Sequence, residues 1–282
     1  MKLIDVHIHV FPDDVADAYI ENYGSHSNLK AVCRPTLDSV FEEYRNIDVL
    51  KFVILQEWQS TIPFKSRNLK LMAKPDDYYF YSYNAWLAEL QRKHKNVVCF
   101  GGVHPEEDDR LEEFERMAGV YELSGLKLPQ CMQQFHVNDK RMFPVYERAQ
   151  ACNIPVLFHT GLDPIPGMDI YGHPKDVDDV AREFAGLKII MAHLGTPFID
   201  EAQDVMKRRQ NVFADISFFI EIEGSDSASC IIRKIGAEKL MFGSDFPFIK
   251  PRSAIETLLC TNLSDEDKER ILWKTAHEVL NL

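Results

Sequence analysis

Short apolar runs rich in β-branched residues alternate with helical patterns along the whole chain, and this alternation restricts the fold more than any other feature. Eight such runs predict β-strands, at residues 2–9, 51–57, 97–104, 125–128, 155–160, 187–193, 212–216 and 239–245. Apolar residues at three- and four-residue spacing predict helices between them, at 37–45, 81–94, 110–120, 142–152, 177–184, 199–209 and, in a shorter stretch, 231–235. Strands separated by helices pair in parallel, so the chain is predicted to be an α/β protein.

One more helical pattern follows the eighth run. Ser264 stands before three acidic residues, which is an N-cap followed by side chains that favour the first turn of a helix. The pattern predicts an additional C-terminal helix that closes the fold from outside.

Eight parallel strands form either a closed (β/α)₈ barrel or an open, doubly wound sheet. Polar residues stand at the carboxyl ends of five of the predicted strands: His9, His104, His159, His193 and Asp245. These ends meet at one mouth in a barrel, whereas the outer strands of an open sheet are too far apart to share a site. The sequence therefore predicts a TIM barrel, formed by residues 1–282 as a single domain.

Charge and composition limit the partners of this protein. The 32 basic and 44 acidic residues give a net charge of -12, so the average field repels nucleic acid and anionic membranes. The six cysteines lie far apart, and neither an apolar signal core nor an apolar run of membrane-spanning length is present. We expect a cytoplasmic protein with reduced thiols, no membrane or nucleic-acid partner and a small-molecule substrate; whether it forms a homo-oligomer is left open.

The strand ends carry residue types that bind metal ions. His7 and His9 are two residues apart, so strand periodicity places both imidazoles on one face, with Val6 and Ile8 on the other. His159 ends another apolar strand, and Asp245 brings a carboxylate into an apolar setting. Each residue alone has a structural alternative: a polar barrel interior, a histidine bonded to the backbone, or a helix N-cap. Together, three imidazoles and one carboxylate suit zinc or a similar first-row ion.

The order of these motifs resembles a known family. The motifs are, in order, DVHIH near the start, then GVHP, GLKLP, VLFHTG, MAHLG and a late FGSDFP. Together they are similar to the amidohydrolase-related branch of the amidohydrolase superfamily. This branch contains metal-dependent barrel hydrolases and also non-oxidative decarboxylases similar to aminocarboxymuconate semialdehyde decarboxylase. The resemblance extends over nearly the whole chain.

The resemblance implies a metal site with catalytic residues beside it. Its implied ligands are His7, His9, His159 and Asp245, which would hold one divalent ion, zinc by preference, with manganese or iron(II) as alternatives. His193 would stand beside the ion and polarise the substrate or assist proton transfer. Such an ion lowers the pKa of water from about 15.7 to near 7, and Asp245 would then pass the proton of that water to the leaving group.

Lys127, in GLKLP, has three interpretations. The first is a charged lysine that faces the substrate or a nearby carboxylate. The second is a member of a structural ion pair. The third is a carbamylated lysine that bridges two metals, as in some members of the superfamily. We predict a mononuclear site with Lys127 near the substrate.

Several further residues are candidates for the substrate pocket. His104 either lines the pocket or caps a turn, and Glu57 either orients a ligand histidine or forms a salt bridge at the rim. Two long connections, 10–34 and 58–76, are predicted lids or solvated loops; the second supplies Trp58 and Arg67 as candidate substrate contacts. Phe218, Phe248 and Arg252 follow the last two strands and predict a pocket that is partly aromatic and partly cationic.

Three functions fit these features. Hydrolysis of an amide, lactone or ester bond in a small carboxylated or ring-bearing substrate is the leading prediction. Non-oxidative decarboxylation with the same metal is the alternative. A barrel that binds a small molecule without chemistry is the third, and it would hold no metal.

Overall fold

Eight parallel strands form one sheet, and each strand pairs with its neighbours in chain order, from β1 to β8. The computed structural model describes residues 1–57, 80–163, 165 and 167–282, without the side chains of 22–26 and 80–82. The strands are β1 (Lys2–Ile8), β2 (Asp48–Leu55), β3 (Val97–Gly101), β4 (Gly125–Leu128), β5 (Val156–Phe158), β6 (Ile189–Met191), β7 (Val212–Asp215) and β8 (Leu240–Met241). All eight predicted strands are present.

Helices connect the strands. They are α1 (Asp13–His26), α2 (Leu37–Glu43), α3 (Phe80–Lys93), α4 (Arg110–Gly119), α5 (Gln130–Gln133), α6 (Phe143–Ala151), α7 (Pro174–Glu183), α8 (Ile199–Arg208), α9 (Phe219–Ile235), α10 (Pro251–Leu259), α11 (Asp265–Glu269) and α12 (Thr275–Leu280). Short 3₁₀ segments occupy Lys140–Met142, Asp169–Tyr171, Ala192–Gly195 and Ala237–Lys239, and a π-helical turn occupies Arg270–Lys274. Within the described residues, no helix is both long enough and apolar enough to cross a bilayer.

The sheet closes into a barrel where the segment after β8 meets β1. The Val6 N–H donates to the Phe242 carbonyl at 3.0 Å, and the Asp245 N–H donates to the His7 carbonyl at 2.9 Å. The fold is therefore the (β/α)₈ TIM barrel that the strand alternation predicts.

Seven of the eight strands end sooner than predicted, and for three of them this changes where a predicted site residue lies. These three were predicted to extend to His104, His193 and Asp245, but β3, β6 and β8 end at Gly101, Met191 and Met241. His193 and Asp245 have φ angles of 56° and 62°, in the left-handed region, which cannot continue a strand. The polar residues thus lie on the turns just beyond the strands. The connection 10–34 was predicted to be a lid or a solvated loop. In the structure, helix α1 occupies much of it.

A bulge in β1 changes which side chains face inward. Asp5 pairs with Phe52 and Ile8 pairs with Ile54, so β1 has one residue more than β2 over this interval. Val6 consequently packs in the cluster inside the barrel, while Ile8 packs between the sheet and the helices. The prediction that these two side chains share a face is wrong for this reason.

Apolar side chains fill the barrel below its mouth. The inner cluster contains Ile4, Val6, Val53, Leu55, Val98, Phe100, Leu157, Ile190, Ala192 and Met241, and it also takes in Ala276, Val279 and Leu280 of α12. The C-terminal helix was predicted to close the fold from outside. Its apolar side chains instead form part of the interior core. Its N-cap is confirmed, because the Ser264 hydroxyl accepts from the Asp267 N–H at 3.1 Å.

Candidate metal centre

Two histidines of β1 and one aspartate after β8 converge at the barrel mouth. The Nε2 atoms of His7 and His9 lie 3.1 Å apart. Asp245 Oδ1 lies 3.5 Å from the first and 3.4 Å from the second. All three side chains are buried. The β1 bulge and the left-handed turn at Asp245 bring these atoms together.

The other ring nitrogen of each histidine faces a carboxylate. His7 Nδ1 donates to Asp215 Oδ2, at the end of β7, over 2.9 Å. His9 Nδ1 lies 3.1 Å from Glu57 Oε2, an ion-pair contact that is not aligned as a hydrogen bond. The carboxylate of Asp215 keeps the proton of His7 on Nδ1 and leaves Nε2 as a bare lone pair, as is usual for metal-bound histidines, and the charge of Glu57 favours the same arrangement in His9.

Burial keeps both imidazoles neutral. It lowers the pKa of His7 well below its usual value, and Lys127 adds to this effect. It lowers the pKa of His9 to about 4, although Glu57 opposes the shift. Two neutral rings with their protons on Nδ1 point Nε2 lone pairs at each other across 3.1 Å. These lone pairs repel one another unless a cation lies between them.

The spacing of the three donor atoms fits a single ion. Ligand atoms about 2.1 Å from one ion lie about 3.0–3.5 Å apart at angles between a right angle and a tetrahedral one. The observed separations of 3.1, 3.4 and 3.5 Å fall in this range. Two imidazoles and a carboxylate suit zinc, manganese and iron(II) alike, so the preference for zinc stays a prediction.

His193 is held beside this group by a chain of hydrogen bonds. The Ser217 hydroxyl donates to Asp215 Oδ1, so it accepts the proton of His193 Nδ1 over 2.9 Å. Asp215 Oδ1 also accepts the His193 N–H at 3.0 Å. The chain leaves His193 Nε2 as an acceptor, and the ring lines the cavity at the barrel mouth. The role of His193 beside a bound ion, which the resemblance implies, stays a prediction.

His159 lies near the group but not within it. Its ring centroid is 4.9 Å from that of His193, and Nε2 is buried without a hydrogen bond. The atom closes a separate cluster with Cys131 and Asp163, in which one ligand atom of each residue lies within 4.8 Å of the others. Three of the four predicted ligands are therefore together, and the ligand role of His159 stays a prediction.

Lys127 is buried inside the barrel. Burial lowers the pKa of its ammonium group, against the opposing influence of Glu57, Asp215 and Asp245. Among the described residues, none forms a hydrogen bond or ion pair with this side chain, so the predicted structural ion pair is not seen. Lys127 does not line the cavity described next, and its contact with a substrate stays a prediction.

A cavity of about 490 Å³ opens above these residues. Its lining comprises His9, Asn28, Leu29, Glu57, Met132, His159, Leu162, Asp163, Gly167, Asp169, His193, Thr196, Phe218, Ile222, Asp245 and Phe248. The predicted aromatic part is present in Phe218 and Phe248. No lysine or arginine is among these described lining residues. Arg252 is exposed and donates to the Arg45 carbonyl at 2.6 Å, so its predicted place in the pocket is wrong.

None of the other predicted substrate contacts, His104, Trp58 and Arg67, is among the described residues that line the cavity. His104 does not line the cavity: its Nε2 donates to the Gln133 carbonyl and its Nδ1 accepts from the Glu106 N–H, both at 3.1 Å. These bonds match the alternative of a turn cap. Trp58 and Arg67 lie outside the described residues.

Two residues that hold the site were missed in the sequence. Asp215 and Ser217 follow the seventh apolar run, and both are buried. An acidic residue at the end of an apolar strand was the signal that singled out Asp245, and it applies equally to Asp215. Ser217 carried no comparable signal, because a serine after a strand is common in turns.

The fold and these donors define a TIM-barrel protein with a site for a divalent cation. An amidohydrolase family model matches residues 77–282, most of the chain, and the chain belongs to the amidohydrolase family. No curated protein matches the sequence.

Solved structures share the fold at low sequence identity. An uncharacterized TIM-barrel protein of Bordetella bronchiseptica has a TM-score of 0.74 and 18% identity, over 100% of this chain and 99% of its own. The 5-carboxyvanillate decarboxylase of Sphingomonas paucimobilis has a TM-score of 0.72 and 14% identity, over 100% and 99%. The corresponding enzyme of Novosphingobium aromaticivorans, complexed with manganese and 4-hydroxy-3-methoxy-5-nitrobenzoic acid, has a TM-score of 0.70 and 12% identity, over 99% and 96%.

Proposed function

We propose that this protein is a metal-dependent, non-oxidative decarboxylase of a small ring-bearing carboxylate. Beside proteins named only as amidohydrolases, the similar solved structures include several decarboxylases of aromatic acids, and one of these is complexed with manganese and an aromatic acid. These similarities favour decarboxylation over the hydrolysis that led the sequence-based predictions. A cavity of about 490 Å³ is suited to one small ring compound.

The observation that carries the proposal is the pair of Nε2 atoms 3.1 Å apart, each with a carboxylate behind its ring. With the proton of each ring on Nδ1, a cation between the two Nε2 atoms is what stabilises this pair. Bound to His7, His9 and Asp245, a divalent cation would supply Lewis-acid polarisation of substrate oxygens. The described cavity lining contains no lysine or arginine, so this cation is the charge that would offset a substrate carboxylate.

The protein supplies orientation and the proton. Phe218 and Phe248 line the cavity and would pack against the ring of the substrate. His193 Nε2 can accept a hydrogen bond from a substrate hydroxyl, because its Nδ1 is held by Ser217. Exclusion of water by these side chains strengthens each polar contact in the cavity.

Asp245 is the proposed proton donor. Without an ion, burial and a contribution from Asp215 raise the pKa of its carboxyl group to about 7. Oδ1 faces the two Nε2 atoms and would hold the ion, so the other carboxyl oxygen is the one that would carry the proton. As the bond between the ring carbon and the carboxylate breaks, its electron pair takes the proton of Asp245 and carbon dioxide leaves. The carboxylate of Asp245 then regains a proton from solvent, and no oxidant is needed.

Hydrolysis is the second candidate, because the same Asp245 can accept a proton from water. Incubation in deuterium oxide separates the two reactions. The metal-loaded chain is offered hydroxybenzoates and dicarboxylates beside lactones and amides. We expect release of carbon dioxide and one deuterium on the carbon that lost the carboxylate. Hydrolysis products without carbon dioxide would instead establish the hydrolase. A chain that holds no metal and acts on none of these compounds would favour the binding barrel.

Asp245→Asn tests the proton donor in the same assay. We expect carbon dioxide release to be abolished while metal is partly retained, since His7 and His9 remain. Asp48→Asn, at an exposed position at the start of β2, is the matched control and should turn over normally. Unchanged turnover in Asp245→Asn would refute the role of this residue.

A further inference from the structure

We propose that Asp5 and Tyr44 are positioning residues of the metal centre, which hold the backbone segments of His7 and Asp245 at a fixed spacing. Asp5 lies two residues before His7 in β1, and Tyr44 directly follows α2. Both side chains are buried. Their role concerns the binding of the cation and is the same whichever reaction the enzyme catalyses.

One oxygen of the Asp5 carboxylate joins β1 to the segment that follows β8. Asp5 Oδ1 accepts the His7 N–H and the Ser244 N–H, both at 3.0 Å. Ser244 directly precedes Asp245, and the Asp245 N–H donates to the His7 carbonyl at 2.9 Å. His7 is therefore tied to this segment through both its N–H group and its carbonyl group.

Tyr44 holds the other oxygen of the same carboxylate. Its hydroxyl donates to Asp5 Oδ2, and its ring packs edge-on against Phe52 of β2, with 5.1 Å between the ring centroids. Burial and the neighbouring carboxylate raise the pKa of this hydroxyl well above its usual value, so it keeps the proton that it donates. With Oδ2 fixed, the carboxylate stays in the orientation in which Oδ1 reaches the N–H groups of His7 and Ser244.

The carboxylate of Asp5 is buried without a cation beside it. Among the described residues, no lysine, arginine or histidine side chain forms an ion pair with it, and hydrogen bonds from two N–H groups and one hydroxyl stabilise it. Burying a carboxylate is costly, and neutral groups could link two segments at less cost. Hydrogen bonds to a carboxylate are shorter and stronger than bonds to a neutral acceptor, so they suit a place where the spacing matters.

The turn that carries Asp245 needs such support. Asp245 has a φ angle of 62°, which is unfavourable for residues other than glycine. Gly243 allows this segment to approach β1, because a Cβ there would lie 2.8 Å from His7 Cβ. Without the bond from Ser244 to Asp5, the turn could relax. The 3.5 Å between His7 Nε2 and Asp245 Oδ1 would then change.

Tyr44→Phe tests the proposal, because it removes the hydroxyl and keeps the ring. We expect the affinity of the metal-free full chain for cobalt(II), measured by calorimetry, to fall about tenfold, at the low end for residues that orient a ligand. Tyr146→Phe is the matched control, because the Tyr146 hydroxyl is also buried and donates to the Val137 carbonyl at 2.9 Å. Neither residue of that pair lines the cavity. Thermal unfolding gives the loss of stability in each variant, against which the two affinities are compared.

Two substitutions of Asp5 separate the hydrogen bonds from the charge. Asp5→Asn keeps one oxygen for both N–H groups, and its amide can donate to Tyr44. Asp5→Ala keeps none of these bonds. We expect Asp5→Asn to bind cobalt(II) more tightly than Asp5→Ala, and equal affinities in the two variants would contradict the role of the bonds.

The visible absorption of bound cobalt(II) reports the geometry of its ligands, which a general loss of stability does not change. We expect the bands to shift in Tyr44→Phe and to stay as in wild type in Tyr146→Phe. Wild-type affinity and bands in Tyr44→Phe, or equal losses of affinity in the two tyrosine variants, would overturn the proposal. No substrate is present in these measurements, so a failure of the proposed decarboxylation would leave their result unchanged.

Discussion

The barrel mouth has two sides that treat their buried polar groups differently. On the β1–β8 side, formed by His7, His9, Asp215 and Asp245, hydrogen bonds or ion-pair contacts link each side chain to another, although His9 Nδ1 meets Glu57 without a hydrogen bond. On the β4–β5 side, formed by Gln130, Cys131, Gln133, His159 and Asp163, buried atoms of Gln130, Gln133 and His159 have no hydrogen-bond partner. Both sides face one cavity.

The difference shows which part of the site is preorganised. Asp215 and Glu57 orient the rings of the β1–β8 side before any ion binds, so that little reorganisation is needed. The donors of the β4–β5 side approach one another without contact, so their arrangement depends on what binds. Variants on the two sides should therefore differ in their effects on cation binding.

His9→Ala should have the largest effect, because it removes a donor from the preorganised side. We expect a loss of more than about 100-fold in affinity for the cation, beyond the range for residues that merely support a ligand. Calorimetric titration of the metal-free protein measures it. His277→Ala, at an exposed position of α12, is the control. Affinity within a few-fold of wild type in His9→Ala would remove this residue from the site.

Asp215→Asn tests the orientation of His7 without removing a donor. The amide cannot accept the His7 proton as strongly as a carboxylate, so the ring loses its preferred tautomer. We expect affinity for the cation to fall about 10- to 100-fold. Unchanged affinity in Asp215→Asn would show that this carboxylate does not orient the ring of His7 for the ion.

The fold could be predicted from the sequence because short apolar runs rich in β-branched residues indicate strands, whichever strands they pair with. His7, His9 and Asp245 were accessible for a related reason, since polar residues that end such runs face the barrel mouth. The bulge between Asp5 and Ile8 was not accessible, because register depends on pairing with β2. The place of Arg252 was not accessible either, since a helix directs that side chain away from the mouth.

Gly172→Ala probes the β4–β5 side through its packing. The added Cβ would clash with the Gly161 carbonyl oxygen at 2.4 Å, so we expect a loss of about 1–3 kcal/mol in the free energy of unfolding. Gly119→Ala, at the end of α4 with no atom within 4 Å of the added Cβ, should be neutral or slightly stabilising. Denaturant unfolding measures both. Equal stabilities would contradict the close packing of this loop.

Glu57→Gln should have the smallest effect of the four. Glu57 lies 3.1 Å from His9 Nδ1 but is not aligned as a hydrogen bond, so its hold on the ring is weaker than that of Asp215 on His7. We expect about a tenfold loss of affinity for the cation, at the low end for such residues. Calorimetry with the Asp215→Asn protein in parallel ranks the two. A larger loss in Glu57→Gln would reverse their order.

The central claim is that His7, His9 and Asp245 hold one divalent cation. Anomalous diffraction at the absorption edge of the bound metal locates that ion directly. We predict a peak about 2.0–2.2 Å from both Nε2 atoms and from a carboxyl oxygen of Asp245. Crystals grown with excess metal that show no peak there, and a direct hydrogen bond between the two imidazoles instead, would contradict the account.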